Sequence, residues 1–578
     1  MKDGIFSAER LLALYDRVAE AEDAIPRLRR FVLDLAVRGK LVEQDPSDEP
    51  AAELLRRIAK EKARLVKAGE IRKPKTLPPV DLRDVHIDMP IGWRCARVGE
   101  LSTVITKGST PTSYGHAYAV TGVNFIKVES IRKGRIAPDR ITSFISEETN
   151  EFLSRSKLRE GDLLFSIAGT IGTCALVTAE ILPANTNQAL AIIRGTGFVF
   201  EADFLIVALR SFVSNAILDK ARGGAMNNVS LDDIQNLIVP LPPLVEQQRI
   251  VAKVDELMAL CDRLEAARAG REAVRDRLTA ATWARLTAPE TDAETFPTPS
   301  FQTNARFALK TLPTLTTRPD QIKTLRQTIL NLAVRGKLLE QDPTDEPATE
   351  LLKRISRDKS DRAVSARDRR ATKIRPLSSN EAPSDIPANW VWASFGDVAI
   401  SRDGDRVPVS REERERRAKV YDYYGASGVI DKIDGFLFDK PLLLIGEDGA
   451  NLINRSTPIA FIARGKYWVN NHAHVLDGIS EGFLRYLELF INAIDLKPYV
   501  TGTAQPKMNQ AKMNSIPVAL PPLAEQRRIV AKVDALMALC DQLEASLTTA
   551  TTTRSRLLES LLHEALAPVA EPITKAAE

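Results

Sequence analysis

The sequence predicts an internally duplicated α+β protein in which two mixed α/β domains are carried on a frame of long coiled-coil helices. Three observations predict it. LAVRGKLVEQDPSDEPAAELLRRI (Leu35 to Ile58) returns as LAVRGKLLEQDPTDEPATELLKRI (Leu332 to Ile355). LPPLVEQQRIVAKVDELMALCDRLEA (Leu241 to Ala266) returns as LPPLAEQRRIVAKVDALMALCDQLEA (Leu520 to Ala545), with apolar residues at alternating steps of four and three. Between the repeats lie short β-rich runs punctuated by Gly, Asn and Pro.

The 578 residues leave room for roughly three to five domains. The first copy reads as a helical region at 1–87, a mixed insert at 88–240 and a long helix at 241–287. A Pro- and Thr-rich stretch at 288–319 reads as a linker. The second copy supplies a helical region at 320–384, an insert at 385–519, a long helix at 520–568 and a tail at 569–578. The two repeats are offset by 297 and 279 residues, so the material between them is eighteen residues shorter in the second copy. The frame is duplicated and the inserts have diverged. DMPIGWRCARVGEL (Asp88 to Leu101) and DIPANWVWASFGDV (Asp385 to Val398) mark the start of each insert, with Pro90 and Pro387, Trp93 and Trp390, and Gly99 and Gly396 in step.

Periodicity assigns the helices. Ile529, Val533, Leu536, Cys540, Leu543, Leu547, Ala550, Leu557 and Leu561 form one stripe, broken by Arg554; Ile250, Val254, Leu257, Cys261 and Leu264 begin the other. Leu257, Leu260, Leu536 and Leu539 read as coiled-coil core. Each helix follows Pro-Pro, which holds the incoming chain extended. A helix from Leu244 to about Leu286 spans ~65 Å, and so long an apolar stripe needs a partner, the nearest candidate being its own duplicate. GDLLFSIAGTIGTCALV (Gly161 to Val177), QALAIIRG (Gln188 to Gly195), PLLLIGEDG (Pro441 to Gly449) and TPIAFIARGKYWVNN (Thr457 to Asn471) read as the strands of the inserts.

Composition excludes several classes. No apolar run approaches the ~18 residues of a membrane span. The first residues are acidic and helical in pattern, without the features of a secretory signal, so the expected compartment is the cytoplasm. Cys95, Cys174, Cys261 and Cys540 form no CxxC pair and read as reduced core residues. A net charge of +4 is too small to argue for nucleic acid, but Glu53 to Lys75 holds nine Lys/Arg against three acids, and Lys353 to Arg375 ten against three. Each run reads either as a solvated helix face or as an arm facing phosphates or a subunit.

The hardware of catalysis is missing. AVRGKL lacks the first glycine and the Ser/Thr of a phosphate loop, GTIGT is too short for a dinucleotide fingerprint, and each LPP has Leu where an amino-methyltransferase has a polar residue. His472 and His474 share one face of an expected strand without further ligands, so no metal is expected. What remains is a binding protein with two different readers on one duplicated frame. DNA suits this logic, because its dyad lets two related modules read two half-sites on opposite strands.

The chain resembles the specificity subunit of Type I restriction–modification enzymes over essentially its whole length. The residues that carry the resemblance are LAVRGKL…QDP.DEPA.ELL..I in both copies, the P..W start of each insert, ITKGSTP (Ile105 to Pro111), GDLLFSIAGTIG (Gly161 to Gly172), and the exits GGAMNNVSLDDIQNLIVPLPPLVEQQRI and TGTAQPKMNQAKMNSIPVALPPLAEQRRI. The resemblance implies two target-recognition domains reading the halves of a bipartite double-stranded DNA site. It implies a pseudo-twofold frame of antiparallel helices that sets their spacing. It also implies two modification subunits that bind S-adenosylmethionine and methylate adenine N6, and two restriction subunits that use ATP and Mg²⁺, this chain holding no cofactor and catalysing nothing itself. The competing readings are a self-sufficient methyltransferase or nuclease, and a coiled-coil scaffold that never touches DNA.

Candidate DNA contacts in the first insert are Lys107, Ser109, Thr110, Tyr114, Lys127, Arg132, Asn185, Asn187, Gln188, Asn227 and Asn228. In the second they are Arg402, Arg406, Tyr424, Lys466, Asn470, Asn471, His472, Gln505, Lys507 and Asn509. Asn and Gln pair bidentately with adenine and Arg or Lys with guanine, while hydroxyls and other lysines more often hold phosphate. Arg38, Lys40, Glu246, Gln247, Arg335, Lys337, Glu525 and Gln526, polar positions kept in both copies, are assigned to subunit docking or to contacts between the halves.

Overall fold

The computed structural model describes residues 17–80, 89–195, 202–211, 228–288, 300–362, 377, 383–502 and 505–566. The chain forms two compact units, one of Met1–Gly270 with Thr551–Glu578 and one of Arg271–Ala550. The second is one continuous stretch, whereas the first is assembled from both ends of the sequence. Each combines one copy of the head and insert, the first part of the long helix that follows, and the last part of the other long helix.

In the first unit the head helices are Ala24–Val37 and Ala51–Lys67. Val32, Leu33, Ala36 and Val37 on one, and Ala51, Leu54 and Ile58 on the other, recur at helical spacing and are buried. Within Ala51–Lys67 the basic residues other than Lys62 lie on the opposite face. Arg57 pairs with Glu49 (2.6 Å), and Lys62 turns back to the carbonyls of Gly99 and Glu100 (2.9 and 3.2 Å). Val18, Ala21 and Ala24 pack with Leu558, Leu561 and Leu562.

The first insert is built on a sheet in the order Ser102–Lys107, Leu190–Gly195, Leu163–Ser166, Cys174–Leu176, Arg135–Ile136 and Ile131–Arg132. Alternation sends Leu163 and Phe165 to the core shared with helix Ala202–Arg210, and Leu164 to a second core with Ile126 and Ile181. A smaller sheet joins Phe144–Ile145, Val123–Ile126 and Ala184–Thr186, the last two parallel.

The second unit repeats this plan. Its head helices are Pro319–Val334 and Ala348–Arg362. Its insert has one sheet in the order Ile400–Ser401, Ala473–Asp477, Leu442–Gly446 and Ala460–Ala463, and another in the order Gly428–Ile433, Tyr421–Gly425, Lys466–Val469 and Phe438–Asp439. Leu443 and Ile445 face the core with helix Glu481–Ala493, Leu442 and Leu444 the other. The inserts therefore share a skeleton that their sequences conceal. Four antiparallel strands follow the same order, and a parallel pair sets Asn124 opposite Ala184 in one insert and Asp422 opposite Tyr467 in the other.

The long helices are Leu244–Thr287 and Leu523–Leu566, 44 residues each. The duplicate helix was the expected partner for each stripe, but the first part of each stripe is buried in its own unit's core: Ile250 and Val254 in one, Ile529, Val533 and Cys540 in the other. Arg326 on the head helix pairs with Asp541 and Glu544 on the long helix, each at 2.7 Å. Leu257 and Leu536 pack against these cores, whereas Leu260 and Leu539 are 42% and 58% exposed, since each lies one residue, ~100°, off the stripe.

The expected linker holds a helix, Phe301–Leu315. Composition suggested a spacer, yet Phe301, Ala305, Ala308, Leu312 and Leu315 lie at steps of four and three and pack with Trp283 and Leu286. Ser300 caps the helix by accepting from the Thr303 N–H. Among the described residues no helix is long and apolar enough to cross a membrane.

Candidate nucleic-acid interface

Each insert is tied off at a neck. Arg94–Arg97 pairs antiparallel with Ile238–Leu241, and Val391–Ser394 with Pro517–Leu520. Beside the first neck, Glu246 receives the Trp93 indole N–H (2.9 Å) and the Gln44 amide (2.7 Å); beside the second, Glu525 receives Trp390 (2.9 Å) and Gln341 (2.8 Å). Burial raises both carboxyls above their usual range, and these bonds work against the rise. Gln247 and Gln526 donate to the carbonyls of Pro242 and Pro521, each at 2.9 Å.

The assignment of Glu246, Gln247, Glu525 and Gln526 to subunit docking is thereby corrected. All four are at most 1% exposed and engaged inside their own unit. Three of the four basic frame residues make contacts between the sequence halves instead. Arg335 and Lys337 donate to the carbonyls of Thr287 and Ala288, Lys337 at 3.4 Å, and Lys40 to that of Leu566 at 3.5 Å. A helix C-terminus leaves carbonyls unpaired at its negative end, which favours such cations. Arg38, half-buried, is the C-cap residue of Ala24–Val37.

In the first insert three connections, 108–114, 167–173 and 187–189, leave the same end of the main sheet. Backbone bonds fasten them: Gly108 to Leu190 (3.0 Å), Ser109 to Thr186 (2.9 Å), Ile167 to Ala189 (2.8 Å) and Val229 to Ile167 (2.9 Å). Lys107, Ser109, Thr110, Asn187, Gln188 and Asn228 meet there, with exposed Tyr114 beyond; Lys107, Gln188 and Asn228 are exposed as well. Ser109 is buried, its hydroxyl accepting from Arg155 at 3.3 Å. Asn187 shapes its turn by accepting from the Ala189 N–H at 3.1 Å.

Asn185 does not reach this surface. It is fully buried, and its amide donates to Asn150 (2.9 Å) and Leu153 (3.3 Å), which leaves no donor for a base. Arg132 stands on the far edge strand, and the Lys127 ammonium lies 4.9 Å from the Tyr118 ring centre. Asn227 lies outside the described residues.

The corresponding end of the second insert carries a network of charges. Arg406 donates to Glu447 (2.9 Å) and to the Ala473 carbonyl (2.7 Å); Lys507 reaches the other Glu447 oxygen at 3.2 Å. His474, buried, has Nδ1 2.6 Å from Asp403 and Nε2 2.8 Å from the Met508 carbonyl. Both partners are acceptors, so the ring satisfies both only as imidazolium. Burial alone would push His474 down, but Asp403 and Met508 outweigh it and its pKa is raised. Burial would likewise raise Asp403, but His474, the Val475 N–H and Arg406 lower it.

Around this network Asn470 accepts from the His472 N–H (2.8 Å), and His472, half-exposed, lies 2.7 Å from Asp448. Asn509 caps Gln510–Asn514 by accepting from Lys512 (2.9 Å). Arg402 lies near Asp405 (3.4 Å) and Asp477 (3.8 Å); Asn471 and Gln505 are exposed. Arg406 is thus a support, turned inward on Glu447. Tyr424 packs between Phe461 and Tyr467, its ring centre 5.8 and 5.5 Å from theirs, and Lys466 stands at the far end of its strand over Phe436. Sequence reasoning missed Asp403, Glu447 and Asp448, and saw His474 only as half of a weak metal pair. Asp403 and His474 are 71 residues apart, and nothing local joins them.

Residues 90–270 and 387–550 match the family described as Type I restriction modification DNA specificity domain. Over 585 residues the chain is 28% identical to the Type I restriction enzyme EcoEI specificity subunit of Escherichia coli, covering 94% of each. Over 589 residues it is 28% identical to the EcoAI specificity subunit of the same organism, again covering 94% of each. A solved chain of a type I R-M system is 19% identical over 83% of this chain and 98% of its own, with a TM-score of 0.48.

Proposed function

The chain belongs to the Type I restriction modification DNA specificity family, as a specificity subunit, and on that premise we propose that each insert reads one half of an asymmetric, bipartite DNA site. The observation that carries this reading is the pairing of likeness and difference. The two inserts have one strand skeleton and one kind of neck, yet present different side chains at the loop end of the main sheet. Modules alike in scaffold and unlike in contact residues suit two half-sites of different sequence.

In this reading the helical frame holds two adenine-N6 methyltransferase subunits, which bring S-adenosylmethionine, and through them restriction subunits, which bring ATP and Mg²⁺. This chain supplies sequence choice and no catalytic step, and it works in the cytoplasm. Docking falls to exposed frame surface, including Leu260, Leu539 and the outward faces of Ala51–Lys67 and Ala348–Arg362. The test is base-resolution mapping of methylated adenines in cells with and without the gene. A bipartite motif, methylated on opposite strands and lost on deletion, is the expected result; unchanged methylation in an expressed system overturns the reading.

A further inference from the structure

The shared skeleton makes the two loop ends comparable position by position. Ala168 bridges to Asn228 as Asp448 bridges to Lys507. Ile167 donates to Ala189 and receives from Val229 (2.8 and 2.9 Å), as Glu447 donates to His472 and receives from Met508 (both 2.8 Å). Asn187 and Asn470 make the same turn, each accepting from the N–H two residues on. Ser230 and Asn509 each cap the helix that leads to the neck. Asn228 therefore stands where Lys507 stands, Ala168 where Asp448 stands, Ala189 where His472 stands, and Gln188 where Asn471 stands.

The chemistry differs in kind at three of these four matched places, Gln188 and Asn471 both being exposed carboxamides. Lys507 offers only donors. One faces Glu447, whose second oxygen is held by Arg406, so the lysine is braced from below while its side chain stays 53% exposed. Guanine presents two acceptors, N7 and O6, side by side in the major groove, whereas adenine presents an acceptor beside a donor. Asp448, an acceptor held by His472 at 2.7 Å, matches the cytosine N4 amino group. At the first loop end the exposed amides of Gln188 and Asn228 carry donor and acceptor together, the pattern that pairs with adenine N6 and N7. Ala168 and Ala189 bring methyl groups of the size that contacts the thymine methyl.

We propose that the second insert selects a guanine–cytosine pair through Lys507 and Asp448, and that the first selects adenine–thymine through Gln188 and Asn228. This rests on the reading of the inserts as DNA readers. Arg406 and Glu447 then act as positioning residues, holding Lys507 rather than touching bases.

The experiment is methylated-adenine mapping in cells that express the full chain with its modification subunits, comparing the unaltered protein with K507N, K507R and N228K. In the unaltered protein one half of the motif contains a guanine–cytosine position. K507N lowers discrimination there about tenfold to a hundredfold and leaves the other half alone, K507R retains the guanine, and N228K moves an adenine position of the other half toward guanine. Three results overturn the proposal: K507N weakening methylation evenly with base preferences unchanged, as for a phosphate contact; loss of the guanine in K507R; or K507N and N228K changing the same half. The absence of any bipartite motif with the unaltered protein overturns the DNA-reading function itself.

Discussion

Trp93 donates its indole N–H to Oε2 of Glu246 across 2.9 Å, with both side chains buried beside the strand pair that closes the first insert. The repeated segments of the sequence converge on this bond and its twin, Trp390 to Glu525: the Gly of RGK, the Gln of EQDP, the Trp of P..W and the Glu of LPPL.EQ all meet there. Changing Glu246 to Leu strands the buried indole and the Gln44 amide, at a cost of about 2–4 kcal/mol. Urea unfolding followed by tryptophan fluorescence measures it. The cost of E246L should shrink in a W93F background; equal costs in both backgrounds would show that the bond contributes nothing.

Gly39 and Gly336 have φ of +64° and +67°, and a Cβ there would lie 2.3 and 2.4 Å from the rings of Pro90 and Pro387. Alanine at either position combines left-handed strain with a clash and should destabilise by about 2–4 kcal/mol. Gly69, at φ +72° with nothing within 4 Å, is the control, and Ala there should cost about 1 kcal/mol. Thermal unfolding of the three variants compares them; equal shifts would remove the proline contact from the argument.

The second insert should be less stable in alkali because of His474. Its folded pKa lies above the usual 6.5, so its stabilising charge is fully present below 6.5 and is lost as pH rises through the raised value. Asp403 lies below its usual 3.8, so its contribution is present above 3.8 and is lost as pH falls through the lowered value. The stability gap between the unaltered protein and H474Q should therefore be widest between 3.8 and 6.5 and should narrow above. Denaturant titrations at about pH 5 and about pH 8.5 measure it, and a constant gap would mean that folding does not raise the pKa of the ring.

Replacing the first insert between Arg94 and Leu241 by that of another family member should change one half of the methylated motif and preserve the other. The neck is a main-chain pairing, Arg94 opposite Leu241, and backbone bonds tolerate any side chains between them. Motif sequencing of the exchanged protein reads both halves at once; a change in both would break the two-reader account.

The frame was legible because helical stripes and near-identical repeats are local signals. The common skeleton of the inserts was not, since a strand needs only alternation and Leu163–Ser166 and Leu442–Gly446 keep that with different residues. Polar residues kept in both copies were placed on a docking surface, yet Glu246 and Gln247 are buried, because a carboxylate and an amide with satisfied partners serve a core as well as a surface. The helix Phe301–Leu315 was hidden by Pro and Thr content, although its stripe of four and three was there to count. At the loop ends, Asn187, Gln188, Asn470 and Asn471 were legible as polar residues of a turn-forming type, whereas His472, expected on a strand with His474, stands in a turn. Asn185 resembled them in type, and only the fold reveals that its amide is turned inward.

The make-up of the first unit also fixes an order of events during synthesis. Val18, Ala21 and Ala24 are covered by Leu558, Leu561 and Leu562, which leave the ribosome more than five hundred residues later. At ~5–20 residues per second that apolar patch stays uncovered for on the order of a minute. The matching patch of the second unit has no such wait, because Trp283 and Leu286 are already made when Ala308 and Leu315 emerge to meet them. The unit begun first is thus the one completed last, and its patch is the segment of the nascent chain that a chaperone has longest to hold.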